Sequence, residues 1–171
     1  GFMINLEARG PFGPALLFET SPGNGKLMEL YESVAEYPFT YSLTTVVYGF
    51  MPNFTDFTIV KDEIPGMNFS TIADINHYHT DLDNFSNVNA SSIQHYGSQV
   101  VPVVHKYLTE AQYSSLSSLV SDADTINFTL PLIGLFNFTK GEYIMLNSVV
   151  LVLFVIALVL DVLRGRIQLR K

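Results

Sequence analysis

The stretch Ile64-Pro65-Gly66-Met67-Asn68-Phe69-Ser70-Thr71-Ile72-Ala73-Asp74-Ile75-Asn76-His77-Tyr78-His79-Thr80-Asp81 decides how this chain folds. Ile64-Pro65-Gly66 is a turn, since Pro fixes φ and Gly relaxes the backbone beside it. Met67–Ala73 has the length and composition of one strand. Two histidines stand just beyond its end. In open α/β sheets the carboxyl ends of the strands border the crevice where ligands bind, so the histidines are placed where chemistry is done. Two residues apart on an extended backbone, His77 and His79 would share a face. In isolation a His-x-His pair is weak evidence for a metal, because one buried, hydrogen-bonded imidazole beside an exposed one is the ordinary outcome.

Working outward, Phe2–Ala8 alternates like a strand and ends on Glu7, and Arg9–Pro14 is a Gly/Pro-rich turn. Ala15–Glu19 is a short apolar run, read as a buried strand. After the breaker Gly23-Asn24-Gly25, the spacing of Leu27, Leu30, Tyr31 and Val34 predicts an amphipathic helix over 25–36 that stops at Pro38. Residues 42–50 are a helix or an extended piece, and 55–61 a short helix. The spacing over 91–108 predicts a helix with Ile93, Val100, Val101, Val104 and Tyr107 facing inward, kinked at Pro102. Strands alternating with helices over short links predict an α/β fold with a mostly parallel sheet. Residues 109–120 read as a short helix, and the stretch that follows as a strand-like connector.

The formal charge is −7, unevenly spread. Asp161 against Arg164, Arg166, Arg170 and Lys171 leaves the last eleven residues at +3, so the remainder carries −10. An acidic body excludes nucleic acid as a partner, which would require a basic face. Without cysteine there are no disulfides or thiolate metal sites. Ile144–Leu163 holds only Asn147, Ser148 and Asp161 as polar residues. At a rise of ~1.5 Å per residue, about 20 residues cross a hydrocarbon core of ~30 Å. The cations that follow predict a cytoplasmic C-terminus and an acidic body that is extracellular or lumenal. Six Asn-x-Ser/Thr sequons begin at Asn53, Asn68, Asn84, Asn89, Asn127 and Asn137. Gly1 leads straight into a strand-like segment with no initiator Met, so the chain is expected to be part of a longer polypeptide.

The ordered series Asn5-Leu6-Glu7-Ala8-Arg9-Gly10, Phe18-Glu19-Thr20-Ser21-Pro22, Pro52-Asn53-Phe54-Thr55-Asp56-Phe57, Ile64-Pro65-Gly66, Tyr78-His79-Thr80-Asp81 and Ser92-Ile93-Gln94-His95-Tyr96-Gly97 resembles the second half of zinc metallopeptidase family 28, most closely its membrane-bound branch. The resemblance covers residues 2 to about 108. It implies an aminopeptidase-like α/β/α fold, present in part, with 1–108 as the C-terminal half of the peptidase domain. Residues 109–142 then form a connector, 143–163 a transmembrane helix and 164–171 a basic cytoplasmic tail. It implies two zinc ions, with Glu7 a ligand of one and His79 of the other. Asp56 is expected to fix a ligand by hydrogen bonding, Thr80 and Asp83 to shape the loop carrying His79, and Glu19 and Thr20 to be structural.

The general base and the other ligands of the family match nothing in these residues, so no catalytic residue is assigned here and the chain alone is expected to be inactive. The implied activity of the parent is exopeptidase hydrolysis of a peptide substrate by metal-activated water. Its expected partners are the membrane and the upstream half of the same domain. A noncatalytic binding or scaffolding ectodomain and a glutaminyl cyclase-like enzyme on the same fold are the alternatives.

Overall fold

The computed structural model describes residues 1–166; Arg170 and Lys171 of the basic tail lie outside the described residues. Strand β1 (Met3–Ala8) is followed by β2 (Leu16–Thr20), then helices α1 (Gly25–Val34), α2 (Ser42–Gly49) and α3 (Asp56–Val60), and strand β3 (Gly66–Thr71). Helix α4 (Ala90–Thr109), strands β4 (Ile126–Leu130) and β5 (Gly134–Phe138), and helix α5 (Lys140–Leu163) complete the chain.

The sheet is mixed, which corrects the expectation of a mostly parallel one. Its order is β1-β3-β2, with β1 parallel and β2 antiparallel to the central β3. The reason lies in the link between β1 and β2. A parallel crossover needs about a dozen residues, and the short Arg9–Ala15 segment can only reverse the chain. β3 then inserts between the two arms of this wide reversal. All six residues of β3 are buried, as befits a central strand. Beyond β2, a bridge from Leu17 to Thr40 extends the sheet, and Thr40 in turn contacts β4 through Asn127 and Thr129. β4 and β5 form a separate two-stranded hairpin.

One face of the sheet carries the apolar core. Leu17, Met67 and Phe69 pack there against Leu27, Met28, Leu30 and Tyr31 of α1 and Val103 of α4. Burying side chains of this size contributes roughly 1.5–3 kcal/mol each. The buried stripe of α4 is not the predicted one: Ile93 and Val101 are 58% and 64% exposed, while Ser92, Gln99 and Val103 are buried. Gln99 belongs inside because its amide is fully used. Its Nε2 donates to the carbonyl of Ala15 (2.8 Å), and its Oε1 accepts from Tyr31 Oη and from the Phe39 amide (3.2 Å). Hydrophobic periodicity cannot see a polar residue buried by its partners.

α4 runs continuously through Pro102. Proline leaves the Ser98 carbonyl without its helical donor, and the backbone amide of Glu36 supplies one at 3.0 Å. The region 109–120 is two single 3₁₀ turns, Ala111–Tyr113 and Leu116–Ser118, rather than one helix. Its run of serines offers side-chain bonds that compete with helix formation, as when Ser118 Oγ donates to the Ser115 carbonyl (2.5 Å).

Among the described residues, those from Phe138 to Arg166 belong to a unit of their own. A reciprocal capping box between Thr139 and Glu142 starts α5 one turn before its apolar run. By length and composition α5 is able to cross a membrane.

Candidate functional site

The other face of the sheet is polar where the core face is apolar. Asn5 and Asn68 are register partners across β1 and β3, and Asn68 and Glu19 across β3 and β2. Glu19 would fall out of this row in a regular ladder. A bulge between Leu17 and Glu19 makes Phe18 the extra residue and brings Glu19 opposite Asn68. Asn5 Nδ2 donates to Glu7 Oε1 (2.9 Å) and to Asn68 Oδ1 (3.0 Å). Asn68 Nδ2 donates to Glu19 Oε2 (3.1 Å) and to Thr55 Oγ1 (2.9 Å). Glu19 Oε1 accepts from Lys61 Nζ at 2.6 Å. Asn68 and Glu19 are 0% and 2% exposed, so the row is buried at one end and opens at Glu7 on the other.

Glu7 sits near the carboxyl end of β1. Its backbone carbonyl accepts a bond from Tyr96 Oη of α4, and the same hydroxyl accepts from the Thr71 amide (2.6 Å). Tyr96 thereby staples the ends of β1 and β3 together; burial pushes its phenol pKa up and keeps it protonated. Glu7 lines a cavity of about 450 Å³ whose walls are mostly apolar, among them Leu16, Phe18, Val47, Met51 and Phe54, with Arg9 and Tyr78 also lining it. It also borders a shallow cleft of about 500 Å³ shared with Thr55 and Asp56.

The histidines are reached through a bent segment. β3 ends at Thr71, and Ile75–His77 form a 3₁₀ turn. His79 takes a left-handed backbone, φ 57°, so the two imidazoles do not project from an extended strand. His79 is exposed, and its ring stacks on Tyr78 with centroids 3.8 Å apart. The Arg9 guanidinium lies 5.4 Å from the opposite partner of that stack, the Tyr78 ring. Thr80 shapes the loop: its Oγ1 donates to the His77 carbonyl (2.7 Å) and accepts from the Leu82 amide (3.2 Å). Asp83 closes the same turn through its amide to the Thr80 carbonyl (2.9 Å). Tyr78, not His79, lines the cavity beside Glu7.

Asp56 and Glu7 share the cleft, but Asn5 rather than Asp56 makes the hydrogen bond that holds Glu7. Asp56 instead occupies the first turn of α3, exposed, next to the capping box formed by Thr55 and Thr58. Glu19 is held by Lys61 at 2.6 Å, and Thr20 accepts from Asn24 Nδ2 (2.8 Å). The residues that sequence reasoning passed over are Asn5, Asn68 and Tyr96. Asn5 carried a signal, since a period of two puts it on the Glu7 face of β1. In kind, a carboxylate and an imidazole suit zinc; in number they fall short of the three or four protein ligands such a site takes. Among the described residues no three His, Cys, Asp or Glu side chains gather to hold a metal.

Residues 1–104 match the family model described as Peptidase family M28. Over 119 residues the chain is 37% identical to endoplasmic reticulum metallopeptidase 1 of Rattus norvegicus, covering 67% of this chain and 13% of that protein. Over 137 residues it is 34% identical to endoplasmic reticulum metallopeptidase 1 of Homo sapiens, covering 78% and 15% respectively. Over 109 residues it is 34% identical to putative endoplasmic reticulum metallopeptidase 1-A of Caenorhabditis elegans, covering 61% and 12%. The chain thus spans 12–15% of the length of these curated relatives. No solved structure matches it.

Proposed function

The chain belongs to peptidase family M28, and from that premise we propose that it forms part of a membrane-anchored zinc exopeptidase of the aminopeptidase type. In this reading Glu7 and His79 each contribute one ligand to a two-zinc site, and sequence outside these 171 residues supplies the rest. The observation that carries the reading is the state of Glu7. It stands near a strand's carboxyl end, with Oε1 tied by Asn5, on the wall of an apolar cavity. Bound zinc supplies a water of lowered pKa and polarises a carbonyl. This chain's residues orient one carboxylate, present one imidazole from a braced turn, and offer apolar walls to a substrate side chain.

The apolar helix α5 supports anchoring in a membrane. With Arg164 and Arg166 just beyond it, the positive-inside rule places the peptidase region in a lumen or outside the cell and the C-terminus in the cytoplasm.

The deciding experiment compares His79→Ala with His77→Ala in the full-length protein. Hydrolysis of aminoacyl chromogenic substrates and bound zinc are measured together. His79→Ala is expected to abolish activity and lower zinc content, and His77→Ala to be mild. Equal damage from the two overturns the ligand assignment.

A further inference from the structure

We propose that the row Asn5–Asn68–Glu19, closed by Lys61, sets the orientation of Glu7, making Asn5 and Asn68 positioning residues for a metal-binding carboxylate. The inference rests on the reading of Glu7 as a zinc ligand given above. Its own basis is the direction of the hydrogen bonds.

Each asparagine amide has two N–H donors and both are spent. Asn5 uses its pair on Glu7 Oε1 and Asn68 Oδ1, and Asn68 uses its pair on Glu19 Oε2 and Thr55 Oγ1. Turning over the Asn68 amide would aim its oxygen at the Glu19 carboxylate and its N–H groups at those of Asn5. That arrangement sets acceptor against acceptor and donor against donor. Lys61 fixes the far end, because Glu19 can accept from Asn68 as an anion only where a cation compensates it in the interior. The orientation thus passes from Lys61 through Glu19 and Asn68 to Asn5, across all three strands in register. At the near end it occupies Oε1 of Glu7, while among the described residues no side chain donates to Oε2, and Glu7 itself borders both the cavity and the cleft. Ligating carboxylates are commonly held by an outer hydrogen bond, whose loss typically costs about 10–100-fold in metal affinity.

The test uses the full-length protein, with zinc affinity measured by chelator competition and the melting temperature measured on the metal-free form. Asn5→Ala and Asn5→Ser are compared with Glu7→Ala. Expected is a loss of zinc affinity of about ten- to a hundred-fold in both Asn5 variants, with a metal-free melt within a few degrees of wild type. A merely structural Asn5 would instead lower the metal-free melt and leave zinc affinity unchanged, which overturns the inference while Glu7→Ala still weakens zinc. If Glu7→Ala itself leaves zinc affinity unchanged, the ligand reading falls and this inference falls with it.

Discussion

Replacing Lys61 by Met should expose what holds the sheet's polar face together. The Glu19 side chain is 2% exposed and its two oxygens are held by Lys61 at 2.6 Å and Asn68 at 3.1 Å. Removing one partner of a buried ion pair costs about 3–5 kcal/mol, because the remaining charge is left uncompensated. Lys61 is itself 30% exposed, so water enters where its ammonium stood and screens part of the loss. The expected cost is therefore about 2–3 kcal/mol. For a chain of this size each kcal/mol moves the melting midpoint by roughly 2–4 °C, so the shift is about 4–12 °C. It is read from thermal melts of the full chain in detergent micelles, followed by circular dichroism. Glu19→Gln combined with Lys61→Met removes both charges and should recover most of the loss. A Lys61→Met melt within about 1 °C of wild type, or a double variant worse than the single, would refute the argument that Glu19 is held by charge compensation.

Two further outcomes follow from buried polar groups. His95 Nδ1 accepts from the Ala15 amide at 3.0 Å and lies 2.9 Å from Gln99 Nε2, so the folded state needs this ring neutral, and burial lowers its pKa. The unfolded chain therefore takes up the proton first. Stability is fully present above the unfolded histidine value of about 6.5 and is lost as pH falls from there through the lowered folded value. Urea midpoints at several pH values should show this slope in wild type and a flatter one in His95→Leu. Of the sequon asparagines, Asn68 and Asn127 are 0% and 4% exposed while Asn84 is exposed. Expression in a eukaryotic secretory pathway should accordingly place glycan on Asn84 and none on Asn68 or Asn127, as mapped by peptide mass before and after glycosidase; glycan on Asn68 would contradict the buried row.

Most elements were legible because each has a local cause. The strands β1, β2 and β3, helices α1 and α4 and the apolar helix α5 all fall where periodicity and breakers put them, α1 between Gly25 and Val34 and α4 between Ala90 and Thr109. What escaped depends on partners distant in sequence. The direction of β2 follows from link length and from β3 inserting later, not from its own residues. The buried face of α4 is keyed by Gln99, whose partners Tyr31, Phe39 and Ala15 are 60 or more residues away. At the site, Glu7 and His79 were read from a resemblance, and the strand-end position of Glu7 agrees with the fold. The bent backbone at His79 has no equivalent signal, because left-handed geometry at a non-glycine residue is imposed by the surrounding turn. Asn68 reads as an ordinary strand residue inside a sequon; only the register of three strands shows that it joins two carboxylates.

The bulge at Phe18 makes this region more sensitive to chain length than to side-chain chemistry. Loss of the single codon for Phe18 would leave Leu17 and Glu19 as consecutive residues, and a regular ladder would then straighten β2 where it now bends. The deletion would also take away the Phe18 carbonyl that accepts from Thr44 Oγ1 (3.1 Å) and Thr45 Oγ1 (2.9 Å), the bonds that seat α2 against β2. A point substitution at Phe18 removes only one ring from the cavity wall. Among natural variants of this chain, in-frame insertions and deletions within residues 16–20 should therefore be far rarer than substitutions there. That asymmetry can be counted in a deep mutational library without any assay of catalysis.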